Sequence, residues 1–579
     1  MPSRLQRRPA APAVRPAPAH RRVAERLLAG ARDAAPGVEP RAVTALTDWA
    51  GPVDLPLSDE RAVQAACGIM AVHGRPTGRP RPLAVEFTAT VAGVLTAQGV
   101  CAALLARRRG LRVERVATSA AQGALLALGQ YLAAATAPED PEPAPGLGTA
   151  TLRSADGVQV EVETLDPAAW REFWRRLGVP PALAGRGWGP FQQRFATGVC
   201  ALPGELRAGA RAHPLAVLAR AAAATGVSLL PLSDDPDPAG RPDPVRLAPG
   251  PGAAPGPLPA AAGPLPLTGL RVVEVTRRVQ GPLAGLVLAL LGADVRRVEP
   301  PGGDPMRGLP PLAGGCSARF SALNAGKSVT EADLSTRDGR RTVRELATGA
   351  DVFLHNWAPG RAGRLGLDAA DLWPAAPGLV YAAASGFGDA FAPDPPPLGT
   401  DYLAQVHSGL AAALRPAGEP PAPSLLTLTD VLGGLLCAHG VLVGLLARAD
   451  GGRGTRVDTS LVAAAGLVPR PRVRARWTPL DPPLATADGW LALTAADAAA
   501  PAPLARLAGA AGADPAAVAV AFRRRATKEW LDLLAEAGLT ATPVLTDLAA
   551  LPLDPAFRAA VSPPPPGGHA RPLTPWTFS

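Results

Sequence analysis

Lysine is nearly absent from this chain of 579 residues: Lys327 and Lys528 stand alone among 58 basic residues. The formal net charge of +9 therefore rests on arginine. With so much alanine, proline and glycine beside it, that arginine content points to a GC-rich coding bias, not to a polyanionic partner. Aromatic residues are also scarce, at 4%, and the arginines are scattered, not interleaved with aromatics. No nucleic-acid partner is expected. Only five cysteines occur (Cys67, Cys101, Cys200, Cys316, Cys437), far apart and without CxxC spacing. That excludes a disulfide framework and a zinc site, predicts no metal, and fits a reducing cytoplasm. The opening "MPSRLQRRPAAPAVRPAPAHRR" has no apolar core behind its charges, so no signal peptide is expected. One uncharged run, "ATVAGVLTAQGVCAALLA" (89–106), is about long enough to span a bilayer. Its alanine, glycine and polar residues favour a buried helix, and no membrane partner is expected.

What the chain does have is core. A hydrophobic content of 47% against 18% charged residues fits a globular protein of several domains. Residues 1–38 read as a flexible Pro/Arg/Ala-rich arm, and 234–266 as a semi-extended Pro/Gly-rich linker. Between them, 39–233 forms an N-terminal part, and 267–579 a C-terminal part. The two are related. Gln64 and Gln405, Gly68 and Gly409, Gly93 and Gly434, Gly99 and Gly440, and Arg107 and Arg448 are all 341 residues apart. A constant offset through two helical segments indicates internal duplication.

The duplication is incomplete. The C-terminal part opens with "LTGLRVVEVTRRVQGPLAGLVLALLGADVRRVEP" (267–300), a strand–helix–strand pattern with Pro282 near the helix start and Gly292 at its end. Further strands are expected at "ADVFLHN" and "LVYAAAS". Alternation of this kind predicts an α/β fold with a parallel, Rossmann-like sheet, for which the N-terminal part has no counterpart. The first strand-to-helix loop, "TRRVQGP", lacks GxGxxG, which disfavours a nicotinamide or flavin dehydrogenase.

These runs resemble the family III CoA-transferases (the CaiB/BaiF, formyl-CoA transferase and α-methylacyl-CoA racemase superfamily). So do "GGDPMRG", "NAGKS" (324–328), "ADVFLHNWAPGRAGRLGLD" (350–368), "GLVYAAASGFG" (378–388), "GTDYLAQVHSGL", "LTDVLGGLLCAHGVLVGLLAR" and "GRGTRVDTSLV", in the family's order. The match covers most of 267–579, and 39–233 resembles the later portion of the same family. The chain thus looks like a tandem fusion with a truncated, degenerate first copy. The resemblance implies an interlocked fold. A large Rossmann-like domain is expected at 267–470, a small α/β domain at 471–560 and a tail at 561–579, as a homodimer or an intramolecular pseudo-dimer. It also implies acyl-CoA and a carboxylic acid as substrates, with no permanently bound cofactor.

In the family, the aspartate at the position of Asp401 is the nucleophile. A carboxylate that attacks a thioester gives a mixed anhydride and then an aspartyl-CoA thioester. A first-turn position would help keep it ionised. The same position also suits a plain helix-start charge, and the internal counterpart, Glu60, serves a helix start about as well as Asp401. A nucleophile tolerates an extra methylene poorly, so Asp401 reads as catalytic and Glu60 as structural or degenerate. The neighbouring Asp59 is an alternative to Glu60 after a one-residue slip. For CoA, the resemblance offers Gln280, Glu299 (a ribose contact), Arg307 and Lys327 (phosphates), Asn356, Pro359 and Gly360. The family's arginine between Asn356 and Pro359 is here Ala358, leaving Arg361 or Arg364 to compensate. Gly386 and Gly388 in "SGFG" offer backbone amides to a thioester carbonyl. His407 reads as packing. Asp430 matches an aspartate used by the racemases of this superfamily, but their partner histidine is here Thr400, which cannot serve as a base. Epimerisation and a non-catalytic CoA-binding or assembly role remain the alternatives to transfer.

Overall fold

The computed structural model describes residues 18–35, 37–140, 146–238, 241–251, 258–392, 394–510 and 512–579. In the N-terminal part, α1 (Ala19–Ala34) precedes β1 (Thr44–Asp48), α2 (Glu60–Ala66), α3 (Phe87–Arg108) and β2 (Arg115–Ser119). Helix α3 holds the bilayer-length run and is buried on all sides from Phe87 to Ala106. That explains why its sequence shows no polar face. A small antiparallel sheet follows, made of β3 (Leu152–Arg153), β4 (Gln159–Glu163) and, after α4 (Pro181–Thr197), β5 (Ser228–Pro231). Its core is aromatic: Trp170, Phe173, Trp174 and Phe191 are buried together, and Tyr402 and Leu425 of the C-terminal part join them.

The arm expectation fails where the chain is described. Residues 1–17 lie outside the described residues, but Val23, Leu27 and Ala31 make an i, i+4, i+8 stripe that buries α1 on α3. The approach is close: a Cβ on Gly93 would sit 2.5 Å from the carbonyl oxygen of His20. The linker expectation also needs correction. Within it, β6 (Arg246–Pro249) is a sheet strand. Its later stretch is pinned by Arg109, which donates to the carbonyls of Pro259 (2.8 Å) and Pro266 (2.7 Å).

The C-terminal part follows the predicted alternation. Strand β7 (Arg271–Val275), α5 (Gln280–Leu290) and β8 (Asp294–Glu299) form the opening unit; β9 (Ser328–Glu331), β10 (Val352–His355) and β11 (Val380–Ser385) follow. Then come α6 (Asp401–His407), α7 (Leu428–Gly451) and β12 (Thr455–Ser460). The sheet order is β9-β8-β7-β10-β11-β12, all parallel, which is the doubly wound 3-2-1-4-5-6 arrangement. Strand β6 adds to β12 antiparallel. Helix α7 packs on α3, and α5 packs on α7 as α1 packs on α3. Gly434, 341 residues after Gly93, makes the same kind of close approach: its Cβ would lie 2.6 Å from the Gln280 carbonyl oxygen.

A second small sheet, β13 (Leu484–Ala485), β14 (Trp490–Leu493) and β15 (Ala541–Pro543), packs on α2, while β4 and β5 pack on α6. The last strand, β16 (Thr577–Phe578), pairs antiparallel with β2 of the N-terminal part. Each part therefore lays its small sheet on the other's short helix and its final strand on the other's sheet edge. Trp576 locks this exchange; it is buried and its indole donates to the Leu95 carbonyl oxygen of α3 at 2.9 Å. Trp576→Ala is expected to cost about 3–5 kcal/mol, read by guanidinium denaturation. A loss under about 1 kcal/mol would show that the tail only rests on the surface.

Candidate functional site

Two long helices, α3 and α7, begin in the protein interior, and their first N–H groups need acceptors. For α7 the acceptor is Asp401. Its Oδ1 takes hydrogen bonds from the Thr429 N–H (2.6 Å), the Asp430 N–H (2.9 Å) and the Thr429 hydroxyl (2.6 Å). Its Oδ2 takes one, from the Gln405 amide at 2.5 Å. Asp401 occupies the first turn of α6, as expected, so its carboxylate lies between two helix N-termini. Burial, the largest influence, raises its pKa to about 6 against the pull of these donors.

The counterpart site repeats the set. Glu60 Oε1 accepts from the Thr88 N–H (2.8 Å) and the Gln64 amide (2.9 Å); Oε2 accepts from the Thr88 hydroxyl (2.8 Å) and the Ala89 N–H (2.9 Å). Adding 341 to 60, 64, 88 and 89 gives 401, 405, 429 and 430. Burial raises the Glu60 pKa to about 7. Two differences separate the sites. Glu60 has two donors on each oxygen, whereas Asp401 carries three on one and a single donor on the other. Beyond Thr88 stands Ala89, whereas beyond Thr429 stands a second carboxylate, Asp430. Burial and the neighbouring Asp401 charge push Asp430 well up, against the pull of Arg278. Asp59 is tied down: it accepts from the Ala62 N–H and from the Ala495 N–H, each at 2.9 Å.

Around Asp401 the structure gathers several of the sequence candidates. Gln280 opens α5 and donates to the Ser385 carbonyl oxygen at 3.3 Å, beside Gly433 in the first turns of α7. Gly386 touches Gly399: a Cβ on Gly386 would lie 2.4 Å from the Gly399 Cα, so the strand end grips the loop that delivers Asp401. Gly388 is in the left-handed region (φ 58°), and its N–H donates to the Ser385 hydroxyl at 3.1 Å, so that amide is already committed. His407 packs between Phe387 and Phe391.

Other candidates are placed differently. The Lys327 ammonium is buried, 2.8 Å from Glu274, 2.7 Å from the Pro282 carbonyl oxygen and 2.9 Å from Asn324 Oδ1. This corrects its reading as a phosphate ligand: its three donors serve the core, and burial pulls its pKa down to about 8. Glu299 is buried and takes two of the three Arg307 guanidinium nitrogens at 2.8 Å, so the ribose and phosphate candidates engage each other. Glu299 also meets the buried Arg297 at 3.2 Å, which in turn holds Glu274 (2.6 Å) and Asp304 (2.5 Å). Asn356 makes a two-way amide lock with Arg277: Arg277 N–H to Oδ1 at 3.0 Å and Nδ2 to the Arg277 carbonyl oxygen at 2.9 Å. After Pro359, Gly360 turns with φ 73° into the helix that carries Arg361 and Arg364. Burial and then the nearby Arg277 and Arg364 charges lower the Arg361 pKa.

Sequence reasoning missed the residues that arrive from the N-terminal part. Phe195 of α4 lies under the Arg278 guanidinium at 5.6 Å, and Arg278 itself holds φ 66°. Arg194 pairs with Glu163 at 2.8 Å and covers the ring of Tyr402 at 4.6 Å. No local pattern marks these residues, because their relevance lies in which segment they face.

Comparison with known proteins returns the family described as CoA-transferase family III, matched over residues 43–237 and 267–562. Succinyl-CoA:glutarate CoA-transferase of Mus musculus is 34% identical over 201 residues, covering 34% of this chain and 46% of that protein. Acetyl-CoA:oxalate CoA-transferase of Acetobacter aceti is 34% identical over 198 residues, covering 34% of this chain and 51% of that protein. The chain thus spans about half the length of these curated relatives. The crystal structure of a CAIB/BAIF family protein from Brucella suis aligns at 27% identity and a TM-score of 0.48, over 54% of this chain and 93% of that one.

A carboxylate whose pKa is raised by folding holds its proton more tightly folded than unfolded, so it lowers stability as pH climbs from its unfolded value to its folded one. For Glu60 that window runs from about 4.5 to about 7. The stability of the natural protein relative to Glu60→Gln is therefore expected to fall as pH rises from 4.5 to 7.5. Parallel urea titrations across that range give the difference; a flat difference would show that Glu60 ionises in the fold as it does in water.

Proposed function

Because the chain belongs to CoA-transferase family III, we propose that it moves CoA between an acyl-CoA thioester and a carboxylic acid, with Asp401 forming the covalent intermediates. The observation that carries this reading is the uneven loading of the Asp401 carboxylate. Three donors fix Oδ1, and Oδ2, with one donor, keeps electron density for attack. Oδ2 attacks the thioester carbon, the C–S bond breaks, and CoA leaves as thiolate with a mixed anhydride on Asp401. The thiolate attacks the Asp401 carboxyl carbon and releases the donor's acid, leaving an aspartyl-CoA thioester. An acceptor carboxylate then attacks that carbon and expels the thiolate, and the thiolate takes the acceptor's acyl group, which restores Asp401. No net proton is consumed. The donors on Oδ1 offset the charge that develops there in the two steps that attack the Asp401 carboxyl carbon.

Arg277, Arg361 and Arg364, set by the Asn356 lock and the Pro359–Gly360 turn, are the side chains we assign to the CoA phosphates. A cavity of about 310 Å³ lined by Val279, Leu283, Leu286, Leu290 and Val431 is the place assigned to the acyl chain. Phe195, Arg194 and Tyr402 support a single chain that imitates a dimer, the N-terminal part walling a site that the C-terminal part catalyses.

Incubation with a panel of acyl-CoA esters and intact-mass measurement is expected to show a CoA or acyl adduct that hydroxylamine removes. Asp401→Ala should abolish it, and Asp401→Glu, which moves the oxygen by ~1 Å, should slow exchange by ~10²-fold. Exchange should rise with pH and level off above about 6 as Asp401 ionises. No adduct with any thioester would favour a binding role. Solvent deuterium entering the α-carbon without exchange would assign Asp430 to proton transfer instead.

A further inference from the structure

A cavity of about 370 Å³ lies between the two parts, lined by His73, Arg81 and Arg207 from one and Arg415 from the other, with Thr77 and residues 147–149. Three guanidiniums share it. The carboxylate within reach of two of them is Glu419, which takes both its hydrogen bonds from Arg81 at 2.5 Å and lies 3.8 Å from Arg415. Arg207 is held by the Thr149 and Thr151 carbonyl oxygens, and the nearest acid behind it, Glu161, is buried against Thr151 with its pKa raised to about 7. Outside the lining, Arg474 reaches the Pro416 and Glu419 carbonyls and pairs with the exposed Asp234. Among the described residues, positive charge thus exceeds negative on the walls. Burial and the neighbouring Arg81 and Arg474 charges lower the Arg415 pKa to about 10, and burial, then the Arg415 and Arg81 charges, keep His73 neutral. Crowding like charges in a partly desolvated space costs energy unless an anion offsets it.

This cavity is wired to the candidate nucleophile. His73 Nδ1 is 2.8 Å from the Ser424 hydroxyl. The Ser424 backbone exchanges two hydrogen bonds with the Gln405 amide, N–H to Oε1 at 2.9 Å and Nε2 to the carbonyl oxygen at 3.0 Å. Gln405 in turn donates to Asp401 Oδ2, the oxygen left with a single donor. We infer that this cavity binds a small doubly charged oxyanion, inorganic phosphate or a short dicarboxylate, at a site distinct from the Asp401 carboxylate and joined to it through His73, Ser424 and Gln405. Guanidinium pairs suit planar or tetrahedral oxyanions with two charges better than a monoanion.

The test is calorimetric titration of the full chain with phosphate, sulfate, succinate, acetate and chloride at constant ionic strength. Dianions are expected to bind one per chain, at least tenfold tighter than acetate. Arg415→Gln and Arg207→Gln should each weaken binding at least tenfold while the variants melt within a few degrees of the natural protein. Binding of phosphate and sulfate above succinate would make it an inorganic oxyanion site, and the reverse a dicarboxylate site. Absence of dianion binding below 10 mM, or binding untouched by both substitutions, overturns the proposal. Should either variant fail to fold, the natural protein decides: phosphate must raise its melting temperature more than chloride at equal ionic strength, and an equal rise overturns the site. Because the readout is binding, it stands or falls separately from CoA exchange.

Discussion

Two apolar helices that nothing polar can solvate, α3 and α7, set the terms for everything else in this chain. Each is buried over most of its length, and each starts inside the protein, where its first N–H groups would cost about 1–3 kcal/mol apiece if left unpaired. A carboxylate from a preceding short helix answers each time, Glu60 for α3 and Asp401 for α7. The same two helices pack on each other, so the Gln98 side chain of one reaches the Leu435 carbonyl oxygen of the other at 2.6 Å. The two parts are consequently not beads on a string. Their cores are one.

That shared core explains the exchange of edges. A sheet ending in β2 or β12 presents unpaired backbone groups, and an open edge invites pairing. The final strand of each part closes the other's edge: β6 on β12 and β16 on β2. The small sheets are exchanged in the same sense, which puts Arg194, Glu163 and Phe195 beside Asp401 and Asp430, and puts the small sheet of the C-terminal part beside Glu60. The symmetry is then broken chemically. Where the C-terminal site has Asp401 and Asp430, the N-terminal one has Glu60 and Ala89, so one site keeps an oxygen with a single donor and a second carboxylate in the cap, and the other is a saturated cap.

Much of this was legible. The 341-residue offset between Gln64 and Gln405 or Gly93 and Gly434 marks residues that do the same physical work, an amide holding the cap and a missing side chain admitting a helix. The strand–helix alternation from 267 onward predicts the parallel sheet, because a pattern of buried runs separated by amphipathic turns has few other solutions. Less was legible for charges. Lys327 in "NAGKS" and Glu299 at a strand end look alike in sequence whether they meet a phosphate or each other's neighbours. The buried Arg297 and Glu274 decide that, and neither is marked by spacing. Within the expected arm at 1–38, the helix at 19–34 is not legible because proline and arginine content masks a short apolar stripe that needs α3 to have any value.

The sequence by itself determined the family, the parallel alternation, the repeat and the identity of Asp401 as the residue to ask about, because these rest on order and spacing along the chain. Only the tertiary structure decided that Asp401 caps a second helix with one oxygen and leaves the other a single donor, and that the wall beside it comes from the N-terminal part. It also decided that Lys327 belongs to the core. Those outcomes depend on which distant groups meet once water is excluded, and no one-dimensional pattern records that competition.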